Sequence, residues 1–346
     1  VKLTVRQITA AMRAPFVAGH GTVADRDLVL VTLEAADGAR GYGEAAPLPS
    51  YDGVTADAVA AALADCGPVL ADYRDAAPIA DVLARCAEAT LLPEALAAID
   101  LALWDMAGRR TREPVWRLLG AGRPFPVAVN WTIASDDRSG AAREAAEARA
   151  AGFSAVKVKV GVGDDAGRLA AVRAFAGPQM TIRIDANGAW STAQAAATLG
   201  ALEPVGIELC EEPVHGVEAI RELRDLTDIP LALDESAGDP DALIPPAAAD
   251  LMCLKIGRCG GISGAIETAV RARAAGYEVY LASTLDGPLG IAAAVHAAAA
   301  IKPDRVCGLA TLSLFDDRVD PLPPSLGTIG PPGGPGLGDG LVQWYG

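Results

Sequence analysis

Apolar and polar positions alternate along KLTVRQITAAM (2–12) and again along DLVLVTLEAADGARGYGEAAP (27–47), with DG inside the second run. Period-two alternation predicts half-buried strands, and DG between two such runs predicts a hairpin or meander. The period then lengthens. Helices are predicted over 54–73, 77–88 and 93–109, the last setting Leu96, Ile99, Leu103 and Met106 on one face. Glycine and proline in LLGAGRPFP break the pattern and place a boundary near 121–125.

From Val127 the rhythm changes. Short apolar runs (VAVNWTI, AVKVKV, MTIRIDA, GIELCEE, IPLALDE, DLMCLKI, YEVYLAS and VCGLATL) alternate with helix-length stretches. Repeated βα units of this size imply parallel strands, and eight strand candidates imply a (β/α)₈-like barrel. The helix after the fifth strand is the exception, because GDPDALIPPAAAD is short and contains proline. The predicted fold class is therefore α/β. An α+β domain spans 1–125, a barrel spans 126–320, and a Pro/Gly-rich segment, 321–346, ends in LVQWYG and returns to pack on the first domain.

The chain has 346 residues, 51% of them apolar, which suits a sizeable core and excludes a disordered protein. Its formal net charge of -15, with no basic stripe, excludes nucleic acid as partner. It does not exclude an anionic small substrate, because a site's local charge can oppose the global sign. Cysteines 66, 86, 210, 253, 259 and 307 form no CxxC pair, so buried reduced thiols are expected rather than zinc or disulfides. No charged start with an apolar signal core and no membrane-length apolar run is present, and the expected location is the cytoplasm, away from membranes.

The strand SAVKVKVG carries Lys157 and Lys159 two residues apart, so both ammonium groups point one way. Buried lysines require a partner. In a parallel barrel functional residues come from the C-terminal strand ends. There the second strand supplies Lys157 and Lys159, the third Asp185 with Asn187, and the fourth Glu211 and Glu212. The fifth gives Asp234 and Glu235, the sixth Lys255, and the seventh Ser283, Thr284 and Asp286. Carboxylates converging on one mouth repel unless a cation lies among them. Oxygen ligands without histidine favour Mg²⁺, or Mn²⁺, over zinc. The lysines then face a metal-bound anionic substrate, and a lysine beside other cations is driven toward its neutral, basic form.

Singly, these residues have plainer readings. Asp185 and Asp234 could cap helices, Lys255 could snorkel, and the paired lysines could mark an edge strand. Their order on consecutive strands favours the chemical reading. His20, Arg26 and Tyr51 lie on predicted loops of the first domain that could fold over the mouth as a lid. His215 is expected at the rim and His296 within a helix as a structural residue.

On KVK, RIDANGAW, CEEPV, ALDES and LKIGRCGG, the chain resembles the enolase superfamily in its muconate-lactonizing-enzyme subgroup. The resemblance implies a modified TIM barrel, (β/α)₇β, with an N-terminal α+β capping domain completed by the C-terminal segment. It implies Asp185, Glu211 and Asp234 as Mg²⁺ ligands, Lys159 and Lys255 as opposed acid/base lysines, and Lys157 as electrostatic support for Lys159. It also implies abstraction of the proton α to a substrate carboxylate to give a metal-stabilised enediolate.

The subgroup contains o-succinylbenzoate synthases, N-acylamino acid racemases, dipeptide epimerases and muconate-type cycloisomerases. GYGEAAPLPSYDG and CGLATLSLFDDRVDPLPP look most like the synthase, a hydro-lyase. Dipeptide epimerases carry a DxD element on the last strand for the substrate ammonium, whereas here no acid precedes Asp316. Asp286 stands where relatives often show glutamate. A small carboxylate substrate and a homo-oligomer are the partners implied. Two readings of other classes are a lysine Schiff-base aldolase and a non-catalytic binding relative.

Overall fold

Alternation along β1 (Lys2–Ala18) and β2 (Gly21–Glu34) pairs them antiparallel, and β2 continues antiparallel into β3 (Arg40–Ala45). The computed structural model describes residues 1–18, 21–73, 77–316 and 318–346. Val29, Val31 and Leu33 of β2 enter one apolar cluster with the cap helices, while Leu28 and Leu30 enter the cluster shared with the barrel. One strand thus faces two cores, as period two dictates. The DG predicted as a turn lies between β2 and β3.

The cap helices are α1 (Pro49–Asp52), α2 (Ala56–Asp65), α3 (Gly67–Ala71), α4 (Ile79–Ala89) and α5 (Pro93–Thr111). The stretch predicted as one helix over 54–73 is two, divided at Cys66 ahead of Pro68. Helix α5 lies against β3 because Gly41 and Gly43 leave room. A Cβ at Gly41 would collide with the Ala102 carbonyl, and one at Gly43 with that of Ala98. Ile99, Leu103 and Met106 of α5 are buried here, each contributing roughly 1.5–3 kcal/mol.

After α6 (Val115–Leu118) come β4 (Val127–Ala128), β5 (Trp131–Ile133), α7 (Arg138–Ala150) and β6 (Ala155–Lys159). Then follow α8 (Asp165–Ala176), β7 (Thr181–Asp185), α9 (Thr192–Leu202), β8 (Ile207–Glu211), α10 (Val217–Arg224) and β9 (Leu231–Leu233). The series closes with β10 (Leu251–Leu254), α11 (Ile262–Ala275), β11 (Glu278–Leu281) and α12 (Pro288–Ile301). Strands β5 to β11 form one parallel sheet in sequence order. The eighth predicted strand, VCGLATL, appears only as bridges from Cys307 to Val129 and from Gly308 to Ala282. Those bridges still link the two sheet edges and complete the (β/α)₇β barrel. Instead of a helix after β9 there are two 3₁₀ turns, Glu235–Gly238 and Pro240–Leu243.

The C-terminal segment crosses back. Its β12 (Thr328–Ile329) pairs with β4, and Val115 N–H donates to the Gly336 carbonyl at 3.0 Å. Buried Asp105 of α5 accepts from Leu337 N at 2.7 Å and from Tyr42 N at 2.9 Å, joining the segment to the cap. The six cysteines are free thiols, five of them buried. Among the described residues no helix is long and apolar enough to cross a membrane.

Candidate active site

Strands β7, β8 and β9 are neighbours, and each delivers a carboxylate at or just past its C-terminal end: Asp185, Glu211 and Asp234. All three are buried. In-register pairing of Lys157 with Arg183 and of Lys159 with Asp185 aims the KVK lysines into the same mouth. Lys157 Nζ lies 2.6 Å from Glu211 Oε1 and 2.8 Å from Asp185 Oδ2. Lys159 Nζ lies 2.6 Å from the same Asp185 oxygen and donates to Asn187 Oδ1 at 2.9 Å. Lys255, just beyond β10, donates to Asp234 Oδ2 at 2.8 Å.

Burial alone would lower the pKa of Lys157, but Asp185 and Glu211 outweigh it and the pKa lies above the ordinary lysine value. Lys255 is likewise raised, burial being outweighed by Asp234. The carboxylates paired to Lys157 and Lys255 thus hold both ammonium groups charged. Asp185 is pushed up by burial yet held well below the carboxylate range by Lys157 and Lys159. Glu211, facing Lys157 alone at close range, is raised by burial.

The mouth is lined by Phe16, Leu48, Tyr51, Thr132, Lys157, Lys159, Asn187, Asp234, Lys255, Ser283, Thr284, Leu285 and Thr311, with Ala282 and Gly308. Tyr51 comes from α1 of the cap, and its hydroxyl donates to Asp234 Oδ1 at 2.9 Å. Glu235 accepts from Asn187 Nδ2 at 2.9 Å. Glu212 is turned away from the mouth. It accepts from the backbone N–H groups of Asp234 at 2.8 Å and Ser236 at 3.2 Å, fixing the turn after β9, and burial beside Glu235 pushes it up to about 8. Asn187 and Glu212 take positive φ, 45° and 37°, so these strand ends are strained.

Two of the expected site residues, Arg26 and Asp286, lie elsewhere than predicted. Arg26 is not on a loop: the β1–β2 ladder runs past it, and it is 1% exposed. Its guanidinium donates to the carbonyls of Pro47 (2.6 Å), Ala46 (2.8 Å) and Thr284 (3.0 Å), bolting the cap to the barrel loop after β11. Asp286 does not line the mouth. It is buried near Arg26, and its backbone N–H donates to Ser283 Oγ at 2.8 Å. His20 lies outside the described residues. His215 is exposed beyond β8, and His296 is buried in α12.

Three residues of the site have no place in the sequence reading. Tyr280 of β11 donates to Glu211 Oε2 at 2.7 Å. Cys253 brings its sulfur within 4.8 Å of carboxylate oxygens of Glu211 and Asp234. Thr132 pairs in register with Lys157. Alternation from Lys255 would have placed Cys253 on the inner face. The buried oxygen donors of Asp185, Glu211 and Asp234, on adjacent strands, suit a hard divalent cation. Mg²⁺ or Mn²⁺ would fit that donor set.

Residues 1–120 match "Mandelate racemase / muconate lactonizing enzyme, N-terminal domain", and residues 140–342 match "Enolase C-terminal domain-like". A D-Ala-D/L-Ala epimerase of Cytophaga hutchinsonii is 30% identical over 96% of this chain and 94% of its own. A dipeptide epimerase from that organism, solved with Mg and the dipeptide D-Ala-L-Val, superposes with a TM-score of 0.88 at 28% identity, covering 99% of this chain and 97% of that one. The N-succinyl-L-Arg/Lys racemase of Bacillus cereus is 33% identical over 84% of this chain and 81% of its own. Its structure superposes with a TM-score of 0.90 at 28% identity, covering 100% of this chain and 98% of that one. The o-succinylbenzoate synthase of Mycobacterium bovis is 40% identical, but over 50% of this chain and 54% of its own.

Proposed function

Because the chain belongs to the mandelate racemase/muconate lactonizing enzyme family of the enolase superfamily, we propose that it racemises or epimerises N-acylated α-amino acids with Mg²⁺ as cofactor. The observation that carries this reading is the placement of Lys159 and Lys255. They project from β6 and from the end of β10, with β7, β8 and β9 between them, and each ammonium holds a different carboxylate. Two ionisable lysines across one mouth suit proton removal on one face of a carbon and return on the other.

Asp185, Glu211 and Asp234 would hold the cation, which supplies positive charge to the substrate carboxylate where charge builds as the α-proton leaves. With these carboxylates committed to a cation, the ion pairs of Lys159 with Asp185 and of Lys255 with Asp234 would loosen and free both amines for the substrate. Lys159 takes the proton from one enantiomer and Lys255 donates one to the opposite face; for the other enantiomer the roles exchange. Lys157 keeps positive charge beside Lys159, both ammonium groups sharing Asp185.

The nitrogen is acylated in this reading because of what lines the mouth. Thr132, Ser283, Thr284 and Thr311 offer hydroxyls, and Phe16, Leu48 and Leu285 offer apolar surface. Asp234, the sole lining carboxylate among the described residues, is engaged by Lys255 and Tyr51. Hydroxyl and apolar surface of this kind suits an amide. Relatives named for dipeptides and for an N-succinyl amino acid span most of the chain, which supports an amide-bearing substrate.

Dehydration by an o-succinylbenzoate synthase is the second reading, favoured by the 40% identity over half of the chain. There Lys159 removes the proton and Lys255 contributes charge alone. The test is α-proton exchange in D₂O, followed by NMR with Mg²⁺ and with EDTA, on both enantiomers of N-succinyl- and N-acetylamino acids. The racemase reading expects exchange from both enantiomers, with Lys159→Ala and Lys255→Ala each abolishing it from a different one. No exchange from a Mg²⁺-bound protein that dehydrates the cyclohexadiene carboxylate would replace it with the synthase.

A further inference from the structure

Cys253 is a buried thiol that the proposed chemistry leaves unused. It stands two residues before Lys255, so strand alternation turns both side chains into the barrel. It is 2% exposed, and among the described residues its Sγ makes no hydrogen bond. Its sulfur, one oxygen of Glu211 and one of Asp234 all lie within 4.8 Å of one another, and all three residues are buried. Asp185 is not part of this cluster. An ion such as Zn²⁺ sits about 2.3 Å from sulfur and about 2.0–2.2 Å from carboxylate oxygen, so a small contraction would bring the three donors onto one ion.

Hard and thiophilic cations would use this mouth differently. Mg²⁺ takes oxygen and leaves a thiol aside, whereas Zn²⁺ and Cd²⁺ draw sulfur into their shell. We propose that Cys253, Glu211 and Asp234 form a second, overlapping site for thiophilic divalent cations, which compete with Mg²⁺ and shift the bound charge away from Asp185. When such an ion enters, the Cys253 thiol releases its proton to solvent and one metal–sulfur bond forms. Lys157 gives up its bond to Glu211, and Lys255 gives up its bond to Asp234. The inference rests on the reading of Glu211 and Asp234 as cation ligands.

Full-length protein freed of divalent ions, titrated with Cd²⁺ while the sulfur-to-cadmium charge-transfer band is followed in the ultraviolet, tests this. Mg²⁺ binding is measured in parallel by calorimetry, on wild type, Cys253→Ser and Cys253→Ala. The expected result is a band that Mg²⁺ suppresses in wild type and that both variants lack. Cd²⁺ affinity should fall about tenfold or more in the variants while Mg²⁺ affinity changes little. A Mg²⁺-binding wild type with no band overturns the inference and leaves the Mg²⁺ reading intact. A band that survives excess Mg²⁺, as a thiol outside the mouth such as half-buried Cys259 would give, also overturns it, and this comparison needs no variant to fold. Binding of neither ion sinks both readings together.

Discussion

The ammonium of Lys255 lies 3.9 Å from the centre of the Tyr51 ring, so a residue of the cap touches a barrel lysine directly. The same tyrosine donates to Asp234, the carboxylate that Lys255 also holds. Cap and barrel therefore share one three-residue contact at the mouth.

Tyr51→Phe keeps the ring over Lys255 and loses the 2.9 Å bond to Asp234; Tyr51→Ala loses both. A desolvated cation–π contact contributes about 2 kcal/mol, or about thirtyfold in rate if it is retained in the transition state. The α-proton exchange rate of Tyr51→Ala should fall by about that factor below Tyr51→Phe. Equal rates in the two variants would show that the ring contributes nothing.

Lys157 answers for two buried carboxylates at once, Glu211 at 2.6 Å and Asp185 at 2.8 Å. Removing one partner of a buried ion pair costs about 3–5 kcal/mol. Lys157→Met should lower thermal stability strongly in EDTA, and saturating Mg²⁺ should restore much of the loss by replacing the missing charge. If Mg²⁺ left the melting temperature of this variant unchanged, those carboxylates would not be its ligands.

The residues of this site that were legible in the sequence are those that contradict their surroundings. Lys157, Asp185, Glu211, Asp234 and Lys255 are charges at the ends of apolar strands, and charge in such a run has few plain explanations. Tyr280 and Cys253 pass as core residues, and only barrel closure brings them to Glu211. Arg26 was misplaced because PFVAGHGTV reads as a glycine- and proline-rich loop, while β1 and β2 in fact extend to Ala18 and from Gly21. The eighth strand was legible as an apolar run, but it shrinks to bridges at Cys307 and Gly308. The helical period over 54–73 runs on through Pro68, yet the chain divides into two helices at Cys66 just before it.

Glu44 of β3 is buried with Asp286 nearby, and burial pushes its carboxyl up to about 8. It accepts from Gly287 N–H at 2.7 Å and from the Tyr345 hydroxyl. Its folded pKa is raised above the ordinary value of 4.5, so its contribution is complete below pH 4.5 and is lost as pH rises toward 8. Glu44→Gln keeps an acceptor for Gly287 and cannot ionise. Between pH 5 and 7.5 the wild type should lose about 3 kcal/mol more unfolding free energy than the variant, measured by urea denaturation. Parallel pH profiles would refute a protonated Glu44.

His296 gives the opposite sign. Its Nδ1 accepts from Trp116 N–H at 3.2 Å, and its Nε2 faces the Leu337 carbonyl at 3.2 Å, a pattern that the neutral Nε2–H tautomer satisfies. A second proton would place N–H against N–H, and burial lowers the imidazole to about 4 from 6.5. The unfolded chain takes up the proton first. Stability from this residue is therefore present above pH 6.5, falls between 6.5 and 4, and levels below. Urea denaturation at pH 7.5 and pH 4.5 should show a loss roughly 2–3 kcal/mol larger in wild type than in His296→Asn, which cannot titrate. The variant should be less stable at pH 7.5, where the Leu337 contact is lost, yet flatter toward acid. An acid limb of equal slope in both proteins would mean that the imidazole charges as readily in the fold as outside it.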